Sequence, residues 1–198
     1  RLKRPVHLAI DFANGMGIWE VKALKGLLTW DGLYADPDGR FPNHEANPLH
    51  TATLADLQRT VRNGRYAFGV AYDGDADRAG FVDERGEIIP MDLITALVAQ
   101  DVLATRKGVI FYDLRSSRVV RETIEAAGGT PMMSRVGHAF IKQQMREHDA
   151  LFAGELSGHY YFQDNFTAES SSLAILSLAN IVSQTGKPLS ELIAPLRR

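Results

Sequence analysis

Val6-His7-Leu8-Ala9-Ile10-Asp11-Phe12 is an apolar run that stops at the turn residues Asn14-Gly15-Met16-Gly17, and a helical stretch follows through Leu28. Strand, turn and helix in that order form the elementary unit of an α/β protein, and the unit recurs along the chain. A polar loop, Asp36-Pro37-Asp38-Gly39 and then Phe41-Pro42-Asn43-His44, leads to a helix capped at Thr53 with Asp56 three residues on. Residues 66–72 read as the next strand, and residues 79–83 and 87–89 flank Glu84-Arg85-Gly86 as a hairpin. After Pro90 a helical period returns with Ile94, Leu97, Val98 and Val102 on one face. A strand at 109–112, a helix from about Ser117 to Gly128, and a strand at 130–134 follow. A helix near 141–147, a strand at 150–153 and helices within 170–184 and 189–196 complete the pattern. The alternation predicts an α/β protein of two consecutive three-layer domains with mixed, mostly parallel sheets, residues 1–90 and 91–198, each long enough for its own core.

Composition narrows the function. The 198 residues carry 22 Lys+Arg against 24 Asp+Glu, a net charge of -2, which offers no basic footprint for nucleic acid or an anionic membrane surface. The longest uncharged stretch, 170–186, is too short and too rich in Ser and Asn to span a bilayer and reads as a buried helix. Cysteine is absent, which removes disulfides, thiolate metal sites and thiol nucleophiles and suits a reducing, cytoplasmic setting. The chain opens Arg1-Leu2-Lys3-Arg4-Pro5 without Met, and the expectation is a piece of a longer protein.

Two loops carry chemistry. Asp73-Gly74-Asp75-Ala76-Asp77-Arg78 follows a strand and sets three carboxylates at every second position, so an extended backbone would project them to one side. A hard divalent cation relieves their repulsion, and oxygen-only ligation favours Mg²⁺ or Ca²⁺. Arg78 adds a fixed cation suited to a phosphate oxygen. A solvated acidic turn is the plain alternative. An EF-hand would use Asp73, Asp75, Asp77 and Glu84, yet Arg78 stands where Gly is required and a strand precedes the loop. A phosphatase with Asp73 as nucleophile and Asp75 as its partner is a further reading, although no later acidic pair completes its metal site.

Gly154-Glu155-Leu156-Ser157-Gly158-His159 also follows a strand and again alternates functional groups: acceptor, hydroxyl, imidazole. Such a row can hydrogen-bond vicinal sugar hydroxyls, with His159 able to exchange protons near neutrality. The alternative is a loop whose Ser and His satisfy local backbone groups.

In order and separation, these loops resemble the metal-binding and sugar-binding loops of the α-D-phosphohexomutase superfamily. Asp11-Phe12-Ala13-Asn14-Gly15 is similar to the first strand-turn of that family's second domain, and Phe41-Pro42-Asn43-His44 to its internal loop. The resemblance covers essentially the whole chain as the second and third of four domains. It implies that Asp73, Asp75 and Asp77 hold Mg²⁺ against a phosphoserine, that Glu155 and Ser157 contact sugar hydroxyls, and that His159 transfers protons. It also places Arg115 as a basic residue facing the cleft, and Val136-Gly137-His138 at a Thr-Gly-His segment, with Val136 departing from the pattern. Leu156 is similar to the phosphomannomutase/phosphoglucomutase branch, where the phosphoglucosamine branch usually has Gln.

The implied substrates are hexose 1-phosphate and hexose 6-phosphate, interconverted through a hexose bisphosphate that reorients between two phosphoryl transfers. The family's nucleophilic serine lies in a Thr-Ala-Ser-His-Asn-Pro type segment of domain I, and its distal phosphate clamp in domain IV. No serine here has those neighbours, so the chain alone is expected to be inactive. A non-catalytic metal- or sugar-binding module using the same loops is the alternative.

Overall fold

Alternation along single strands organises the molecule. In a computed structural model that describes residues 2–24 and 26–197, β1 (His7–Asp11), β2 (Thr29–Leu33), β3 (Phe68–Tyr72), β4 (Ala79–Asp83) and β5 (Ile88–Ile89) form one sheet in the order β2-β1-β3-β4-β5. The second sheet contains β6 (Val109–Asp113), β7 (Thr130–Ser134), β8 (Phe152–Gly154), β9 (Tyr160–Phe162) and β10 (Ala168–Glu169), in the order β10-β9-β8-β6-β7. Read from β7, the second sheet repeats the topology of the first. In each, the first strand lies parallel between the second and third, and the fourth and fifth add antiparallel neighbours. Four of the five strands therefore share one direction, which is the mixed, mostly parallel sheet of the sequence reading.

Odd and even residues of each strand serve different layers. On β1, Leu8 and Ile10 point into a large central cluster, while Ala9 points to an outer one with Leu54, Leu57 and Val61. On β6, Ile110 and Tyr112 join the central cluster, while Phe111 meets Ile141 and Met145 on the other face. The outer layers are α2 (Ala55–Asn63), with Leu57 and Val61 inward, and α5 (His138–Glu147), with Ile141 and Met145 inward. The central cluster includes α1 (Gly17–Ala23), α3 (Met91–Thr105), α4 (Arg118–Ala126), α6 (Ser171–Thr185) and α7 (Leu189–Ile193). Residues 91–99 of α3 are all buried, so this part of the helix is enclosed on every side, which explains its weak amphipathicity.

Residues from both sheets occupy that cluster, and Phe81 of β4 meets Tyr160 of β9 edge-on at 6.1 Å. Polar latches reinforce the join. Ser183 of α6 both accepts from the Arg4 amide and donates to the Arg4 carbonyl, and Ser172 donates to Glu20 at 2.9 Å. Glu84, a candidate twelfth EF-hand ligand, instead accepts from the Ser190 amide and hydroxyl at the start of α7.

Local differences from the sequence reading have physical reasons. The first helix stops at Ala23 rather than running through Leu28, and β2 occupies the edge of the sheet with Asp31 and Gly32 in it, a composition that hides a strand. Thr53 is not a helix cap: it lies in a 3₁₀ turn, Thr51–Leu54, its hydroxyl donates to the carbonyls of Asn47 and His50, and Leu54 holds the cap position of α2. The sequence reading has no β9 or β10, which are three and two residues long. No helix among the described residues is long and apolar enough to cross a membrane.

Candidate functional site

The loops β3–β4 and β8–β9 leave their sheets at the same topological place, after the third strand and before the antiparallel return. In open α/β sheets the carboxyl ends of the strands beside a reversal of strand order are where ligands bind. Here the two loops also touch. The Ala79 amide donates to the Gly158 carbonyl at 3.1 Å, and His159 Nε2 lies 3.2 Å from Asp77 Oδ2. Gly158 has φ +91°, and a Cβ there would sit 2.9 Å from the Ala79 carbonyl oxygen, so a larger residue would push the loops apart.

In the acidic loop, one oxygen from each of Asp73, Asp75 and Asp77 lies within 4.8 Å of the others. The convergence comes from a turn with Ala76 at φ +70°, not from the extended backbone the spacing predicts. Asp73 is fully buried; its Oδ2 accepts from Arg78 Nε at 2.6 Å and its Oδ1 from the Arg78 amide at 3.2 Å. Burial pushes the Asp73 carboxyl up to about 6, against the opposing hydrogen bonds and charge of Arg78, with the Asp77 charge adding to the rise. Asp75 is exposed and Asp77 half-buried, so the cluster opens to one side. An all-oxygen, electrostatically strained set fits a hard divalent cation. The loop rests on the first turn of the sheet, where the Met16 amide donates to the Gly74 carbonyl at 3.0 Å.

In the second loop, Glu155 is 2% exposed, accepting from the Tyr161 hydroxyl at 2.5 Å and the Gly137 amide at 3.4 Å. Arg115 Nη2 stands 3.9 Å from the same carboxylate. Ser157 Oγ and His159 Nδ1 are 2.9 Å apart and partly open to solvent. The Tyr161 ring stacks near His159, and burial followed by the hydrogen bond to Glu155 raises its phenol well above the usual range, so it stays a donor. His138 is exposed, its Nδ1 3.2 Å from Glu169 Oε1, and Lys142 pairs with the other Glu169 oxygen. Burial opposes ionisation of Glu169, yet Lys142 and His138 outweigh it and hold the carboxyl below its ordinary value.

All nine residues singled out from the sequence thus lie on or beside the two touching loops. Sequence reasoning missed Asp113, at the end of β6, whose carboxylate binds Arg115 and the Leu156 amide, and Tyr161. It also missed the Asp11–His44 pair, 3.0 Å apart, in which burial raises the Asp11 carboxyl against the Ala13 amide and His44. A signal existed: two buried first strands each end in Asp.

Comparison with known proteins accords with this arrangement. Residues 1–86 match phosphoglucomutase/phosphomannomutase, alpha/beta/alpha domain II, and residues 90–198 match domain III of the same family. The chain is 41% identical to a phosphomannomutase of Methanocaldococcus jannaschii, over 93% of this chain and 42% of that protein. It is 40% identical to a phosphoglucomutase of Neisseria gonorrhoeae, over 95% and 42% respectively. A crystal structure of a phosphoglucomutase/phosphomannomutase family protein from Burkholderia thailandensis superposes with a TM-score of 0.94 at 34% identity, covering 100% of this chain and 44% of that one. The chain spans less than half the length of these relatives, and it belongs to the phosphoglucomutase/phosphomannomutase family as its α/β domains II and III.

Proposed function

We propose that this chain is the central, ligand-reading part of a phosphohexomutase, divided near Pro90, in which the β3–β4 loop holds Mg²⁺ and the β8–β9 loop reads a hexose phosphate. The observation that carries the reading is the contact between the loops: His159 and Asp77 approach to 3.2 Å, so metal and sugar would share one cleft. Asp75 and Asp77 would join Asp73 as metal ligands, with Arg78 fixed beside them. When bound, Mg²⁺ supplies neutralisation of charge developing on a transferring phosphoryl group.

The chain's own residues do the rest. Ser157 and Glu155 hydrogen-bond sugar hydroxyls that hexose 1-phosphate and 6-phosphate present in turn, and the bisphosphate uses the same contacts while reorienting. Arg115 and His138 offer positive and proton-bearing groups to phosphate at the rim. His159, held by Ser157 and Asp77, moves a proton at a hydroxyl near the metal loop. Phosphoryl transfer itself would need a phosphoserine and distal clamp from domains I and IV, with the whole enzyme working in a cytoplasmic setting.

Calorimetry tests the reading. Mg²⁺ should bind the parent weakly and Asp75→Asn not at all, and a coupled mutase assay with activating bisphosphate should show no turnover by the chain alone. An unchanged Mg²⁺ isotherm in Asp75→Asn would place the metal elsewhere, and turnover by the isolated chain would overturn the division of labour.

A further inference from the structure

One buried carboxylate ties the arginine of the cleft to the backbone of the sugar loop. Asp113 ends β6 with no exposure. Its Oδ1 accepts from the Arg115 amide at 2.8 Å and lies 3.5 Å from the Ser116 hydroxyl. Its Oδ2 accepts from Arg115 Nη2 at 2.6 Å, from Arg115 Nε at 3.2 Å, and from the Leu156 amide, 43 residues away, at 2.9 Å. The guanidinium fork and the second residue of the β8–β9 loop therefore share one oxygen atom as their common reference.

The equivalent residue of the other sheet separates this arrangement from a generic end-of-strand aspartate. Asp11 ends β1 and takes the Ala13 amide at 2.9 Å, the same i+2 turn bond that Asp113 makes to Arg115. Its other oxygen goes to His44 at 3.0 Å, and the β3–β4 loop is held instead by Arg78 and Met16. The bond to the i+2 amide and the pairing with an i+2 arginine also occur at Asp38–Arg40 and Asp83–Arg85; what Asp113 adds is the Leu156 amide on the same oxygen that holds the guanidinium.

We infer that Asp113 is a positioning residue that sets the joint register of Arg115 and the sugar loop, so that a hexose phosphate meets its phosphate-facing cation and its hydroxyl-reading loop as one preassembled pair. The inference rests on the function proposed above. Preassembly matters because ordering a long arginine and a loop on binding would otherwise oppose affinity. Asparagine has nearly the same shape but cannot replace the carboxylate, since one of its two terminal groups is an amide donor and every neighbour at both Asp113 oxygens is a donor.

The test uses the 198-residue chain, ¹⁵N-labelled, with glucose 6-phosphate as probe. In Asp113→Asn the Leu156 amide and the Arg115 Nε–H resonances should move away from their parent positions while amides of residues 73–78 stay. Glucose 6-phosphate affinity should fall about tenfold, as for loss of hydrogen bonds to a charged group, and by less than about threefold when Arg115→Ala has already removed the partner. Unchanged Leu156 and Arg115 resonances, or the same loss in both backgrounds, would overturn the assignment. Should Asp113→Asn fail to fold, Arg115→Lys serves: it keeps the charge but not the fork, so affinity should drop with the melting temperature unchanged, and parent-like affinity would overturn the inference. A parent chain that shows no response to glucose 6-phosphate contradicts the proposed function instead, an outcome distinct from any change in the Asp113 resonances.

Discussion

The β3–β4 and β8–β9 loops are the same structural position used twice. Each opens on a buried carboxylate directly after the third strand, Asp73 in one and Glu155 in the other, and each closes with a backbone bond from that residue's amide, to Arg78 or to His159. Two and four residues on, the first loop has Asp75 and Asp77, the second Ser157 and His159. In the function proposed above, the buried carboxylate at position one both anchors its loop and faces the ligand, and positions three and five distinguish a cation site from a sugar site. The fold supplies the same place twice, and the side chains set on it differ: carboxylates in one loop, a hydroxyl and an imidazole in the other.

The largest effects should come from the anchors. Asp73→Ala leaves the Arg78 side chain without its buried partner and is expected to cost about 2 kcal/mol in urea unfolding at pH 4.5, and less at pH 7 where the buried carboxylate is ionised. Glu155→Ala strands the Tyr161 hydroxyl and the Gly137 amide and should cost about 2 kcal/mol. If either change is neutral, the two head carboxylates are not equivalent anchors.

Positions three and five should separate cleanly. Mg²⁺ should raise the melting temperature of the parent but not of Asp75→Asn, because a ligand stabilises only a state that binds it. Ser157→Ala should keep that rise while weakening glucose 6-phosphate binding about fivefold. Loss of both responses in either variant would mean that the loops do not divide the work.

Acid sharpens the contrast further. The folded Asp73 carboxyl, raised to about 6 from an ordinary 3.8, binds its proton more readily than the unfolded chain does. Its contribution to metal-free stability is therefore complete below about 4 and is lost as pH rises through about 6. Glu169, held below its ordinary 4.5, has the opposite sign: its contribution is present above that value and fades as pH falls through the lower folded one. Urea titrations at pH 7 and pH 4.5 should show the parent gaining relative to Asp73→Asn on acidification. A parent that loses ground would reverse the assignment. The smallest effect belongs to the exposed His138, where His138→Ala leaves Glu169 its Lys142 partner and should change stability by less than about 0.5 kcal/mol.

How much of this was legible beforehand depended on sequence distance. The three aspartates lie within five consecutive residues, so their convergence could be read even though the predicted backbone shape was wrong. The apolar strands β1, β3 and β6 were visible because both of their faces are covered. The half-exposed edge strand β2 was not, and neither was the topological repeat, since it rests on the short strands β9 and β10 rather than on repeated sequence. Asp113 was silent because one of its decisive partners, the Leu156 amide, comes from a loop 43 residues away and is a backbone group that leaves no mark in the sequence.

In the function proposed above, the two loops form one cleft, metal on one wall and sugar on the other. The most direct measurement is a pair of ¹⁵N-HSQC titrations of the chain, with Mg²⁺ and then with glucose 6-phosphate. Mg²⁺ should shift residues 73–78 together with Gly158 and His159 across the contact, glucose 6-phosphate should shift residues 155–159 and Arg115, and Asp75→Asn should erase only the first set. Shifts from either ligand confined to surfaces away from both loops, or a sugar response unaltered by Glu155→Ala, would contradict the account.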